Sequence, residues 1–234
     1  MFIISEIFPQ HGGDLEVAEQ MILQSKIGGA DAVKVQLYPA DMFGKERAYL
    51  ELTYEGLKRL KGYADRIGID LFATPFTEER LQWCIDLDLK YLKVAARMHK
   101  ENLDLVEKIM SKKITTFVSI PSDFDIKDVK KYKHAVYLYC TLQYPTHLDE
   151  VSLPDFSKSI FAGISDHTLG NACALYAAAH GAKYIEKHFT LSHSFQKETE
   201  KAHLGAMTMS DLALIKTIST EFELIRNSLE TLSR

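Results

Sequence analysis

Short apolar runs alternate with amphipathic stretches from one end of the chain to the other. The apolar runs are rich in β-branched and aromatic residues, which predicts strands, and the stretches between them place apolar residues at helical spacing. The predicted strands span residues 2–6, 32–37, 70–74, 91–95, 115–120, 136–141, 161–165 and 184–187. The predicted helices span residues 15–27, 52–67, 78–87, 102–110, 171–180 and 211–232.

This alternation predicts an α/β fold. Eight strand–helix units in 234 residues are typical of a closed (β/α)8 TIM barrel, and we expect a single domain over residues 1–234. A doubly wound open sheet is the alternative, and it often carries a Gly-rich phosphate turn after its first strand. Here the turn after Glu6 reads FPQHGG, which lacks the GxGxxG spacing and favours the barrel. Asp14 is the predicted N-cap of the first helix, which Gly28 and Gly29 end.

Composition and charge narrow the class of protein. The net charge of −4 argues against a general affinity for nucleic acid, so no nucleic-acid partner is expected. No apolar run approaches the length of a membrane span, and the N-terminal residues lack the basic and apolar regions of a signal peptide. Three well-separated cysteines predict reduced, buried thiols and a cytoplasmic location.

Polar side chains collect where the predicted strands end, which is where barrels of this kind build active sites. They are Glu6, Lys34, Gln36, Thr74, Lys93, Ser119, Tyr144, Ser165, Asp166, Glu186 and Lys187. The three lysines lie inside apolar runs, where an unpaired ammonium is costly. Each lysine therefore either pairs with a carboxylate such as Glu6 or Glu186, or faces a ligand. Three lysines at one end favour a basic pocket for phosphate or carboxylate, with hydroxyl donors from Thr74 and Ser119.

Two histidines mark the ends of consecutive strands. His167 follows the seventh strand and His188 the eighth, each beside acidic residues. Neutral imidazoles suit Mn, Fe, Co or Zn, and two protein ligands leave positions for water or a substrate oxygen. The alternative is a pair of hydrogen-bonded core histidines. His11, His147 and His203 are weaker candidates.

Several segments also resemble the sialic acid synthase (N-acetylneuraminate synthase) family. They are ISEI at 4–7, GADAVKVQ at 29–36, ATPF at 73–76, YLKVA at 91–95, YPT at 144–146, GISDHTLG at 163–170 and GAKYIEKHFTL at 181–191. The likeness covers roughly residues 3–212. Family members are transferases of carbohydrate biosynthesis that condense phosphoenolpyruvate with an N-acetylated amino sugar to a 2-keto-3-deoxy acid, releasing phosphate. They use a (β/α)8 barrel and a divalent metal, usually Mn²⁺ or Mg²⁺.

The resemblance implies roles for individual residues. His167 and His188 would hold the metal that polarises the aldehyde of the open-chain sugar. Lys34, Thr74, Lys93, Ser119 and Ser165 match positions that hold phosphoenolpyruvate, and Tyr144 matches a tyrosine near both substrates. Glu6 matches a glutamate that contacts the sugar or the attacking water. We expect Glu6, Lys34, Lys93, Lys187 and Tyr144 to be catalytic, and Gln36, Thr74, Ser119, Ser165, Asp166, Glu186 and His203 to bind substrate.

Several positions depart from the family pattern, beginning with the turn after the first strand, where QHGG at 10–13 replaces the Asn-His-Asn-Gly of the family. Ala96 stands where the family has a serine, Leu142 where it has an asparagine, and Ala202 where it has the aspartate before a histidine, here His203. Each change removes a polar contact to phosphoenolpyruvate or the sugar. The likeness ends with the last helix, so we expect no counterpart of the small antifreeze-like domain that follows the barrel in the family.

The sequence therefore supports a phosphoenolpyruvate-dependent synthase that acts on small molecules, with a possible homodimer implied by the resemblance. Two alternatives remain open at this point. One is a metal-dependent barrel aldolase or lyase that acts on an acidic or phosphorylated sugar. The other is a non-catalytic relative that binds a ligand or a partner.

Overall fold

Eight parallel strands close into a barrel in the computed structural model, which describes residues 1–42, 44–195 and 204–232. The strands are β1 (Phe2–Glu6), β2 (Ala32–Leu37), β3 (Asp70–Pro75), β4 (Leu92–Val94), β5 (Thr116–Pro121), β6 (Ala135–Cys140), β7 (Phe161–Asp166) and β8 (Tyr184–His188). Each strand pairs with the next along the chain, and β8 pairs with β1, where His188 lies opposite Glu6. The TIM barrel is confirmed, and the open sheet is excluded.

Helices cover the outside of most of the barrel. They are α1 (Leu15–Gly28), α2 (Tyr54–Ile67), α3 (Glu78–Asp86), α4 (Met98–Glu101), α5 (Leu103–Ser111), α6 (Ala172–Ala179) and α7 (Met209–Leu232). The six predicted helices are confirmed, but the expectation of eight strand–helix units is wrong in two connections. β5 and β6 are each followed by a 3₁₀ helix, Ile126–Asp128 and Leu148–Glu150, because residues 121–134 and 141–160 lack a sustained helical pattern.

The ends of α1 show how local chemistry places these elements. The Asp14 carboxylate accepts hydrogen bonds from the backbone N–H groups of Glu16 (2.8 Å) and Val17 (3.2 Å), as expected for an N-cap. At the other end Gly29 adopts φ +94°, a left-handed conformation that glycine adopts without a Cβ clash. Asp14 and Gly29 thus fix the length of α1 and deliver the chain into β2.

Alternation along the strands divides the apolar residues into two cores. A small core inside the barrel contains Ile4, Ala32, Phe72, Phe117 and Leu138. The larger core lies between the sheet and the helices. Because successive side chains point to opposite faces of a strand, residues two and four positions after an inner-core residue also point inward. This parity decides which residues at the strand ends reach the site.

The remaining sequence expectations concern cysteines and membrane spans. Cys84, Cys140 and Cys173 are free and buried, as predicted. None of the described helices has the length and apolar character needed to cross a bilayer.

Candidate active site

A cavity of about 440 Å³ opens at the carboxyl ends of the strands. It collects nine of the predicted residues from β2, β4, β5, β7, β8 and the loop after β6. They are Lys34, Gln36, Lys93, Ser119, Tyr144, Ser165, His167, Glu186 and His188. Each of these from a strand shares the inward parity of the inner core, which explains why residues far apart in sequence meet here.

Charged groups on the cavity floor form one network. Oε1 of Glu186 lies 3.4 Å from Nζ of Lys34 and 3.3 Å from Nζ of Lys93, and accepts a hydrogen bond from Ser165 Oγ (3.1 Å). Lys34 also pairs with Oε2 of Glu6, and Lys93 donates to Ser119 Oγ (2.7 Å). The floor therefore holds two ammonium and two carboxylate groups, all of them buried.

Burial and charge act differently on the members of this network. Burial alone would raise the pKa of Glu186, but the attraction of Lys34 and Lys93 lowers it to about 2. Burial acts to lower the pKa of Lys34, yet Glu186 and Glu6 outweigh it and raise that pKa. For Lys93 burial prevails and lowers the pKa, because Glu186 offsets it only in part. An anion bound beside Lys93 would add to the counter-charge that Glu186 already supplies and would favour the ammonium form further.

The two predicted histidines lie on one wall of the cavity with their ring centroids 6.0 Å apart. Tyr144 stacks on His167 at 3.8 Å and meets His188 edge-on at 6.0 Å. Nδ1 of His167 lies 2.7 Å from the carbonyl oxygen of Thr141. A carbonyl only accepts, so Nδ1 carries the proton and Nε2 of the neutral ring keeps its lone pair. Burial lowers the pKa of His167 to about 3, which keeps the ring neutral.

The imidazoles of His167 and His188 have the chemistry of ligands to a divalent metal. A metal ligand must be a neutral imidazole whose other nitrogen is held by a second group, and His167 meets both conditions through Thr141. The two ring centroids lie 6.0 Å apart, close enough for both residues to contribute to one site. Over the described residues no group of three or more His, Cys, Asp or Glu side chains forms a metal-binding cluster. The two imidazoles thus fit a metal that takes its remaining ligands from substrate or water.

Lys187 and Asp166 correct the prediction of a three-lysine pocket. Both are absent from the cavity wall, since they follow Glu186 and Ser165 by one residue and so point to the outer face of the sheet. Nζ of Lys187 lies 2.9 Å from Oδ2 of Asp166 and donates to the carbonyl of Thr168 (2.8 Å), and neither side chain has any exposed surface. The catalytic role expected for Lys187 and the substrate contact expected for Asp166 have no support in this placement. Two lysines, not three, reach the site.

Glu6 and Thr74 are also set back from the cavity wall. Both contact the ammonium of Lys34, Thr74 through its hydroxyl at 3.4 Å. Oε1 of Glu6 accepts the backbone N–H of Phe8 (2.7 Å), so both carboxylate oxygens are engaged, and burial raises the pKa of this carboxyl. These contacts place Glu6 and Thr74 as supports for Lys34.

The weaker histidine candidates do not join the cavity wall in the described part of the chain. His11 is buried in the loop between β1 and α1, where its Nδ1 accepts the N–H of Gly13 (3.0 Å), and His147 is exposed. His203 and Ala202 lie outside the described residues. Ala96 and Leu142, the other departures from the family pattern, both line the cavity, so its wall is apolar where the family is polar.

Other cavity residues were missed by sequence reasoning. Cys140 was assigned to packing, yet it shares the parity of Leu138 and faces the cavity, where burial raises the pKa of its thiol to about 11. Parity alone would have identified it. Phe8, Tyr38, Met42 and Arg47 come from loops after β1 and β2, which carry no periodic signal. Arg97, which follows β4, also lines the cavity.

The sequence also resembles proteins of known family. The sequence model that describes the NeuB family matches residues 21–227. The N,N'-diacetyllegionaminic acid synthase of Legionella pneumophila is 30% identical over 90% of this chain and 70% of its own length. The pseudaminic acid synthase of Campylobacter jejuni is 30% identical over 87% of this chain and 69% of its own length. The chain spans only 64% of another curated relative, from Methanocaldococcus jannaschii.

A solved structure shows the same likeness in three dimensions. The N-acetylneuraminic acid synthetase of Leptospira borgpetersenii, in complex with citrate, superposes with a TM-score of 0.85 at 27% identity. The match covers 96% of this chain and 84% of that one.

Proposed function

The chain belongs to the NeuB family, and from this membership and the cavity we propose that it condenses phosphoenolpyruvate with an aldose or N-acetyl amino sugar. The product would be a sialic-acid-like 2-keto-3-deoxy sugar acid, with release of phosphate. One observation carries the proposal: Lys34, Lys93 and Ser119 line the same cavity as His167 and His188. Cations suit the phosphate and carboxylate of one substrate, and the histidine wall suits the aldehyde of the other.

Phosphoenolpyruvate would lie on the floor of the cavity. Lys93 is well placed for its anionic oxygens, since this lysine lines the cavity and burial lowers its pKa despite the attraction of Glu186, so that a bound anion would stabilise the ammonium form. Ser119 and Ser165 supply hydroxyls beside it, and Glu186 keeps Lys34 and Lys93 oriented by contacts at 3.4 and 3.3 Å. This arrangement would hold the enol carbon in a fixed position, which is a large part of catalysis in bimolecular condensations.

The acceptor sugar would present its aldehyde to His167 and His188. We propose that these residues hold a divalent metal, Mn²⁺ or Mg²⁺, which would act as a Lewis acid on the aldehyde oxygen. Thr141 fixes the His167 ring by accepting its Nδ1 proton, and Tyr144 stacks on that ring. Gln36 adds an amide that would orient the sugar hydroxyls.

The proposed reaction forms one C–C bond and breaks one C–O bond. C3 of phosphoenolpyruvate attacks the aldehyde carbon to form the new C–C bond, and the aldehyde oxygen takes up a proton. Water adds to the resulting cationic C2 and loses a proton. The bond between C2 and the phosphate oxygen then breaks, which leaves the keto acid and inorganic phosphate.

The decisive measurement is phosphate release and keto-deoxy acid formation from phosphoenolpyruvate, Mn²⁺ and a panel of N-acetylhexosamines and aldoses. We expect at least one acceptor to yield both products in equal amounts. Lys93→Met should lower kcat/KM for phosphoenolpyruvate roughly 100-fold, because a charge-assisted contact is worth about 2–3 kcal/mol. Lys90→Met is the matched control, since this lysine is 62% exposed and pairs with Asp70 outside the cavity.

Two results would contradict the proposal in different ways. Cleavage of a preformed keto-deoxy acid, with no turnover of phosphoenolpyruvate, would assign the cavity to a lyase. If no product formed with any acceptor, and His167→Ala changed neither metal binding nor phosphoenolpyruvate binding, the chain would be a non-catalytic relative.

A further inference from the structure

The chain that follows β6 makes a loop over one wall of the cavity. β6 and β7 pair as far as Cys140 and Ser165, after which residues 141–145 leave the sheet. The chain returns at Thr146, which forms an isolated parallel bridge with Thr168, two residues beyond the end of β7. Thr146 and Thr168 are called the threonine bridge below.

The loop encloses His167 and contacts it at three points. The carbonyl oxygen of Thr141 lies 2.7 Å from Nδ1 of the imidazole, and the ring of Tyr144 stacks on the imidazole at 3.8 Å. The backbone N–H of Thr146 donates to the carbonyl of His167 (3.0 Å). Two of these contacts hold the ring and the third holds the main chain. The position of the imidazole in the cavity therefore depends on how firmly the loop is anchored.

Each threonine hydroxyl secures one side of the bridge. Oγ1 of Thr146 donates to the carbonyl of Gln143 (2.8 Å) within the loop. Thr168 donates twice to Oδ1 of Asp166, from its backbone N–H (2.9 Å) and from Oγ1 (2.8 Å). Because Asp166 and Thr168 flank His167, these two bonds close a turn around it.

Burial makes these hydroxyl bonds hard to replace. Thr146 is 4% exposed and Thr168 is 0% exposed, so water cannot take over a bond that is lost. Neither threonine is among the residues that line the cavity, so a direct contact with substrate does not account for them. Groups that hold a histidine from behind fix its tautomer and the direction of its ring, and these decide which nitrogen can bind a ligand.

We propose that Thr146 and Thr168 are positioning residues of the candidate active site. The threonine bridge anchors the loop over residues 141–145 and so keeps Nδ1 of His167 on the Thr141 carbonyl, which leaves Nε2 as the nitrogen available to a ligand. The inference rests on the proposed function, because it concerns the orientation of a histidine that this function assigns to the metal and the aldehyde.

Solvent exchange of the His167 ring proton in the metal-free protein tests the positioning role. This proton is buried and bonded to Thr141, so its exchange rate, followed by NMR with labelled histidine, reports whether the ring keeps its place. The signal is assigned by its loss in His167→Gln. Thr168→Val removes the hydroxyl and should speed exchange at least tenfold, whereas Thr168→Ser should exchange like the parent. Thr146→Val should act in the same direction as Thr168→Val and replaces it should that protein not fold.

Thr116→Val is the matched control. Thr116 is also 0% exposed, and its Oγ1 donates to the carbonyl of Ile114 (2.8 Å) at the amino end of β5, remote from the cavity. In urea denaturation it should lose about as much stability as Thr168→Val, yet its His167 exchange should match the parent. Mn²⁺ affinity, measured by electron paramagnetic resonance, should fall roughly tenfold in Thr168→Val and stay unchanged in Thr116→Val.

The outcomes separate this inference from the proposed function. Exchange in Thr168→Val and Thr146→Val no faster than in Thr116→Val would overturn the positioning role, whatever the protein turns over. In a parent that binds Mn²⁺, an unchanged affinity in Thr168→Val would overturn it as well. Faster exchange in the two bridge variants of a parent that binds no Mn²⁺ and forms no product would support the positioning role and count against the proposed function instead.

Discussion

Burial determines the charge of individual histidines in this barrel. His11 is only 1% exposed, and burial lowers its pKa to about 4, with Asp14 offsetting this only in part. The ring packs 5.8 Å from Phe8, which lines the cavity. A histidine that stays neutral when folded but takes up a proton when unfolded makes stability depend on pH.

The sign of this dependence follows from the lowered pKa. Below pH 6.5 the unfolded chain binds a proton at His11 that the folded protein does not bind, so the free energy of unfolding should fall as the pH drops toward 4. Between pH 7.5 and 5.0 this histidine should account for about 2 kcal/mol of lost stability. Urea denaturation at both pH values, in the parent and in His11→Gln, measures the difference.

His147→Gln removes an exposed imidazole and serves as the control. If His11→Gln left the loss of stability between pH 7.5 and 5.0 as large as in the parent protein, His11 would not be the group responsible.

At the level of elements, the alternation of side chains along each strand determines which residues point into the site and which point outward. The strand β8 shows this most clearly. Glu186 points inward and contacts both floor lysines, whereas its neighbour Lys187 points outward and pairs with Asp166. Two adjacent charged residues on one strand should therefore have separable effects on activity and stability.

We expect Glu186→Gln to lower kcat/KM at least tenfold, because Lys34 and Lys93 lose the carboxylate that orients them.

Lys187→Met should instead lower the free energy of unfolding by about 3–5 kcal/mol, because it leaves the Asp166 carboxylate buried without its partner. Lys187→Met combined with Asp166→Asn should recover part of that loss. Steady-state kinetics and urea denaturation of the same preparations provide both readouts, and a stable but inactive Lys187→Met protein would return this lysine to the active site.

The same parity explains what the sequence could and could not predict. The eight strands and six helices follow from apolar spacing, and Lys34, Lys93, His167 and His188 were expected to lie together because the carboxyl ends of the strands of such a barrel meet at one face. The separation of Lys187 from Glu186 was predictable in principle, by counting in steps of two along β8 from Tyr184, which packs against the inner core. The positions of Tyr38 and Arg47 at the cavity were not predictable, since Tyr38 lies in the loop after β2 and Arg47 in a short 3₁₀ helix, Lys45–Leu50, whose course depends on tertiary packing.

At the scale of the whole molecule, the site depends on closure of the barrel between β8 and β1. His188 lies opposite Glu6 across this seam, so two residues of the candidate site meet only when the first and last strands pair. The helix α7 covers the seam from outside. Lys216 of α7 donates to the carbonyl of Met1 (2.9 Å) and to Asp31 (2.8 Å), and Leu212 is fully buried against Gly28 of α1.

Leu212→Ala tests whether the seam and the rest of the barrel unfold together. We expect it to lower the free energy of unfolding by about 3 kcal/mol, because it opens a cavity in a packed core. Leu214→Ala on the same helix is the control, since Leu214 is 46% exposed and its loss should cost less than about 1 kcal/mol.

Two probes follow the unfolding of different parts of the barrel. The fluorescence of Trp83, the one tryptophan of the chain, reports from α3, and far-ultraviolet circular dichroism reports on the whole barrel. Since a single closed sheet cannot lose one seam and keep its register elsewhere, both probes should shift together. If the dichroism transition moved to lower urea while the Trp83 transition stayed in place, the barrel would consist of separately unfolding parts, and pairing between β8 and β1 would not control the site.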